Sequence, residues 1–162
     1  LGGGTLHRAF SVFLFDADGR VLIQERAAGK MLWPGYWSNS CCSHPRPGEA
    51  TEAAARRRVR EELQLDCRLD FLYKFRYQAA FGSIGSEHEL CYVYAGYATG
   101  KISTDPLEIA AIRWLTPDEL GREIAAEPER FSPWMKLEWQ QITASHLEQI
   151  LDHCRKPQTW RT

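Results

Sequence analysis

Residues 49–65 read "EATEAAARRRVREELQL". Alanine, arginine, glutamate and leucine are strong helix formers, and neither Gly nor Pro interrupts them, so the run predicts a helix over 51–63. Thr51 or Glu49 is placed to satisfy its first amides. Glu62 follows Arg58 by one turn, which sets a carboxylate and a guanidinium on the same helix edge. As a bare surface pair this would contribute only about 0.2–0.5 kcal/mol.

On the N-terminal side, 27–48 reads as a long aromatic-rich loop, broken by Gly29, Pro34, Gly35, Pro45, Pro47 and Gly48. Before it, "RAFSVFLF" (8–15), "DADG" and "RVLIQER" (20–26) predict a hairpin closed by a tight Asp/Gly turn. On the C-terminal side, 67–79 and 87–98 alternate and are rich in Phe, Tyr and Val, predicting two strands joined by "FGSIGS", with a short strand at "AAIRWL". "TPDEL" from 116 starts a helix, with Thr116 as cap and Pro117 in the first turn. Ser132 and Pro133 open another, expected to run as one long amphipathic helix over about 132–154. The expected class is α+β, a mixed β-sheet flanked by helices, in a single domain over 1–162.

The chain's 162 residues and 18.6 kDa are enough for one proper core. A net charge of -1 offers no general attraction to nucleic acid or to an anionic membrane, and no apolar run approaches the roughly 20 residues that span a bilayer. Five cysteines, an odd set without metal-finger spacing, point to a reducing, cytoplasmic location.

Chemistry concentrates in two places. "SEHELCY" puts Glu87 and Glu89 two apart and so on the same face of a strand, with Cys91 next in line. By themselves such carboxylates face water, and a lone histidine such as His7 or His44 is as a rule just hydrogen-bonded. Two histidines and two carboxylates together would suit a divalent ion that takes nitrogen and oxygen, Mn²⁺ or Zn²⁺.

The second place is the helix. From Ser43, five residues lead to Glu49 and seven more to Arg57, then "RRVREELQL" follows. This frame resembles the Nudix box, Gly-x5-Glu-x7-Arg-Glu-apolar-x-Glu-Glu-x-Gly-apolar. Arg57, Val59, Glu61, Glu62 and Leu65 agree, whereas Ser43, Arg58 and Gln64 depart from it. Nudix hydrolases gather glutamates here to hold the metals that activate water against a diphosphate. Arg58 in place of one of them removes a ligand and adds a phosphate-binding cation, which suits holding a diphosphate and not cutting it.

The motifs "LHRAFSVFLF", "WPGYWSNSCCSHP", "FRYQA", "EHELC" and "FSPWM" resemble, in kind and order over about residues 5–140, the type I isopentenyl-diphosphate isomerases, which have the Nudix fold. The resemblance implies a metal-dependent isomerase of isoprenoid precursor biosynthesis. It would interconvert isopentenyl and dimethylallyl diphosphates through a tertiary carbocation. The catalytic cysteine falls on Cys42, with Cys41 left to packing, and the opposing acid-base side on Glu89 and Tyr77. Trp134 would face the cation, whose charge an aromatic face stabilises.

The same resemblance implies a metal site of His7, His44, Glu87 and Glu89, with a further histidine seven residues before His7, upstream of Leu1. It implies Mg²⁺ arriving with the diphosphate and leaning on Glu62 and on the backbone near Cys42. Arg26, Lys30 and Arg58 would grip the diphosphate, while Trp33, Trp37 and Tyr36 wall the prenyl pocket. Two other readings remain at this stage: a Nudix hydrolase of another diphosphate, and a prenyl-diphosphate-binding module without turnover.

Overall fold

The computed structural model describes residues 6–82 and 85–156, with the side chains of Gly85, Ser86 and Glu87 outside that description. His7–Phe15 forms β1 and Val21–Arg26 forms β2. They meet antiparallel at Phe15 and Val21. The turn between them is fixed by Asp16, whose Oδ1 accepts from the amides of Asp18 and Arg20 at 3.0 and 2.9 Å, and by Gly19 at φ +78°.

The segment expected as pure loop holds two short strands, β3 (Trp37–Ser38) and β4 (Cys41–Ser43). They pair antiparallel with β2 and β1 respectively. Their sequence is polar and lacks alternation, but the hydroxyl of Ser40 donates to the Leu22 carbonyl at 2.6 Å and accepts the Leu14 amide at 2.8 Å. Asn39 donates to the Cys41 carbonyl at 2.8 Å. Buried polar side chains here take the place of a longer ladder.

Helix α1 covers Thr51–Leu63, the predicted range. Its cap differs: Ala50 is the N-cap, without a side-chain bond. The Thr51 hydroxyl accepts from Arg8 at 3.0 Å, and Glu49 is bound by Arg57 and by the Arg46 amide. Gln64 takes the left-handed conformation at φ 53° and ends the helix where the Nudix frame expects glycine.

Strands β5 (Leu69–Phe81) and β6 (Gly85–Tyr97) form a long antiparallel pair, and β6 runs parallel to β1 from His7 and Glu89 to Phe15 and Tyr97. Strand β7 (Ile109–Leu115) pairs with β2. Along β1, Phe10, Val12 and Leu14 face α1, while Phe13 and Phe15 face the opposite layer, so this strand is buried on both sides.

That opposite layer contains α2 (Pro117–Ala126), α3 (Pro133–Ser145) and α4 (Leu147–Cys154). Thr116 caps α2 in a reciprocal capping box with Glu119, as its spacing predicts. The helix expected over 132–154 is divided at His146, whose φ of −128° leaves the helical region, and whose ring stacks on Tyr73 at 5.4 Å. Ser132 caps no amide with its side chain. Its hydroxyl bonds that of Ser38 at 2.8 Å and ties the start of α3 to β3. Among the described residues no helix is long and apolar enough to cross a membrane.

Candidate active site

A cavity of about 110 Å³ opens where these elements converge. β1 gives it Ala9 and Ser11, β4 gives Cys42 and Ser43, β5 gives Tyr77, β6 gives Glu89 and Cys91, and Arg26, Lys30, His44 and Trp134 close it. Cys42 and Glu89 come from strands that pair with opposite edges of β1, so they approach from two sides.

Arg26 organises one wall. Its Nε donates to the Trp33 carbonyl at 3.1 Å and its Nη2 to the Leu32 carbonyl at 2.9 Å, which holds Trp33 at the uncommon φ of 50°. Its Nη1 lies 3.8 Å from Cys42 Sγ, and the guanidinium stacks 5.1 Å from the Trp134 ring. Trp134 donates its indole N–H to Asn39 at 3.0 Å and meets Trp33 and Tyr77 edge-on, at 5.3 and 6.2 Å. Its orientation is fixed from three directions.

Burial pushes the Cys42 thiol up to about 12, against the pull of Arg26, with Glu62 and Glu138 adding to the rise. At neutral pH it therefore carries its proton. Cys41 is fully buried on the other face, its thiol raised by burial and by the neighbouring Glu62 carboxyl, in keeping with a packing role.

On the facing side His44 Nε2 stands 2.6 Å from Glu89 Oε2. His7 is directly opposite Glu89 in the β1/β6 register. An imidazole and a carboxylate at contact distance, with a second histidine on the neighbouring strand, are donor types suited to a divalent ion that takes nitrogen and oxygen. Among the described residues, no three His, Cys, Asp or Glu side chains are gathered closely enough to hold an ion. Glu87 is paired through its backbone with Ala79, and its side chain lies outside the described residues.

The remaining expected residues are placed less uniformly. Lys30 and Trp33 lie at the cavity, Lys30 as part of its lining and Trp33 against Trp134. Trp37 does not line it and packs under Arg113 at 5.4 Å. Tyr36 does not line it either; its carbonyl accepts from the Arg26 amide at 2.9 Å and its ring meets Phe81 edge-on at 6.1 Å. Arg58 also stands off the cavity, bound to Glu61 and Glu62 at 2.7 Å each and to Glu108 at 3.2 Å. Glu62 is buried behind Cys41, and that burial raises its carboxyl although Arg58 opposes the rise.

Glu138 was not singled out by sequence reasoning. It sits one turn after Trp134 in α3, wholly buried, and accepts from Cys91 Sγ at 3.3 Å, while that sulfur lies 3.4 Å from Ser11 Oγ. Among the described residues no cation pairs with it, and burial pushes its carboxyl up to about 8. A charged residue at a core-facing helical position was the available signal.

A Nudix domain family matches residues 5–135. The chain is 41% identical to isopentenyl-diphosphate Delta-isomerase 1 of Photorhabdus laumondii, over 93% of this chain and 86% of that protein. It is 48% identical to the isopentenyl-diphosphate Delta-isomerase of Nocardia farcinica, over 82% and 76%. The chain belongs to the isopentenyl-diphosphate isomerases of the Nudix superfamily.

Solved structures agree with a Nudix fold for this isomerase-family chain. A MutT Nudix hydrolase from Burkholderia pseudomallei aligns with TM-score 0.69 at 20% identity, over 86% of this chain and 99% of its own. A protein from Deinococcus radiodurans aligns with TM-score 0.62 at 28% identity, over 74% and 73%. The α+β class read from the sequence, a mixed sheet between helices, is therefore the Nudix arrangement.

Proposed function

We propose that this protein interconverts isopentenyl and dimethylallyl diphosphates by adding a proton to one end of the allylic system and removing another from the neighbouring carbon. The carrying observation is the Cys42 thiol lining one side of a small aromatic-walled cavity whose other side holds Glu89 and Tyr77. An unactivated alkene needs an acid and a base on separate faces, together with a site that excludes water.

Cys42 holds the proton on one side, and Glu89, with Tyr77 beside it, accepts or returns one on the other. Trp134, locked by Asn39 and Arg26, presents its ring to the tertiary cation, an attraction of roughly 2 kcal/mol or more when desolvated. Trp33 shields the same space from water. Arg26 and Lys30 at the cavity bind the diphosphate, joined by Arg58, which shares the Glu108 carboxylate with Lys30.

His7, His44, Glu87 and Glu89 would hold a Mn²⁺ or Zn²⁺ ion, and Glu62 with the backbone near Cys42 a Mg²⁺ carried in by the substrate. Such ions supply positive charge that neutralises the diphosphate and lowers the basicity of Glu89. A reducing, cytoplasmic setting fits five free cysteines, two of which line the cavity.

Proton NMR of the protein with Mg²⁺ and isopentenyl diphosphate in D₂O tests the reading. Exocyclic vinyl signals should give way to dimethylallyl signals with deuterium incorporation, while ³¹P spectra keep an intact diphosphate. Phosphate release would favour the hydrolase, and unchanged vinyl signals a binder.

A further inference from the structure

The two outer cations assigned to the diphosphate are already occupied. Lys30 Nζ lies 2.6 Å from Glu108 Oε2, and Arg58 Nη2 lies 3.2 Å from Glu108 Oε1, so one carboxylate spans both with one oxygen each. Two phosphate oxygens could make the same pair of contacts. We propose that Glu108 is a displaceable counter-anion: it holds Lys30 and Arg58 in the empty protein, and the substrate's phosphate oxygens expel it when they take over the two cations.

Charge makes the exchange necessary. Lys30 and Arg58 stand against Glu108, which partly neutralises this end of the cavity before substrate arrives. A diphosphate placed on Lys30 with Glu108 still attached would put like charges in contact. Burial would raise the Glu108 carboxyl, yet Lys30 and Arg58 hold it below the usual range, so it enters the exchange as a full negative charge. Arg58 also keeps its buried Nε–H without an acceptor among the described groups, a donor still unused in the empty site.

Geometry makes the exchange possible. The Glu108 backbone is pinned, its amide donating to Asp105 at 3.0 Å and its carbonyl accepting from Ala27 at 3.1 Å, so only the side chain has to move. That side chain is 25% exposed and its neighbour Leu107 is 82% exposed, which leaves solvent open beside it. Glu108 thereby acts on specificity. A ligand must bring enough negative charge to outcompete a carboxylate held by two cations, and a diphosphate does so more readily than a monophosphate.

The inference rests on the diphosphate reading of Lys30, and its test does not need turnover. Calorimetric titration of inorganic pyrophosphate and of inorganic phosphate compares the wild type with Glu108→Gln. The variant should bind pyrophosphate about fivefold more tightly, the order of effect of one half-buried ion pair. Its preference for pyrophosphate over phosphate should narrow, and KM for isopentenyl diphosphate should fall. Equal or weaker pyrophosphate binding by Glu108→Gln would overturn the exchange and make Glu108 an aligning group. Should that variant not fold, ¹³C NMR of the wild-type Glu108 carboxyl replaces it: movement on adding pyrophosphate supports release, and an unmoved resonance refutes it. Pyrophosphate results stand apart from the vinyl-proton experiment, so failure of isomerisation and failure of the exchange are read separately.

Discussion

Cys42 keeps its proton because burial outweighs the guanidinium beside it. Replacing it with Ala should abolish isomerisation, whereas Cys41→Ala, on the opposite face against Glu62, should keep most of it; NMR turnover assays of both would separate the pair. Glu89→Gln should be equally inactive, and normal activity there would remove Glu89 from the chemistry. Glu138 has a different consequence. Its folded carboxyl, raised by burial to about 8, keeps a proton that the unfolded chain releases near the ordinary glutamate value of 4.5. Where the folded state binds more protons, stability falls as pH rises, so this contribution is present below 4.5 and is lost on the way to 8. Glu62, also raised, acts in the same direction. Denaturant melts from pH 5 to 8 should show this decline in the wild type and a flatter profile in Glu138→Gln. Neither Glu138 nor Glu108 was legible in the sequence as part of the site, because one is hidden by helix periodicity and the other acts only through cations brought to it by folding.

Among the elements, local chemistry was readable and long-range chemistry was not. Helix α2 has its capping box written within four residues, and Thr116→Ala should cost about 1 kcal/mol in denaturant melts while leaving kcat unchanged, since α2 contributes no residue to the cavity lining. Helix α1 was equally plain from its composition. Strands β3 and β4 were not, because their two and three residues are ordered by hydroxyl and amide side chains reaching β1 and β2, contacts no local pattern encodes. The break between α3 and α4 has no Gly or Pro to announce it and coincides with the stacking of His146 on Tyr73 from β5. The caps expected from Thr51 and Ser132 were spent elsewhere, on Arg8 and on Ser38, each tying a helix start to the sheet. The cysteine, glutamate and tryptophan at the cavity were reachable through a motif resemblance, while the off-cavity positions of Trp37 and Arg58 emerged only from packing.

At the scale of the whole molecule, a mixed sheet between two helical layers brings Ser11, Cys42, Tyr77, Glu89 and Trp134 to one place from five separate elements. The parallel pairing of β1 with β6 is central to this, since it sets His7 beside Glu89 and Ala9 beside Cys91 across some eighty residues of chain. Such distant pairing closes a large loop before any contact rewards it, which slows folding. Pulse-labelled amide exchange during refolding should show protection along 9–13 and 91–95 arising in the same phase as activity, and activity returning ahead of that protection would contradict the dependence. The same connectivity bears on synthesis, which proceeds from the N-terminus. Cys42 leaves the ribosome early and unaccompanied, Glu89 arrives once β6 is made, and Trp134 comes last. No shorter nascent chain holds a closed cavity, so a ribosome-bound fragment has the Cys42 thiol long before it has the walls that keep that thiol dry.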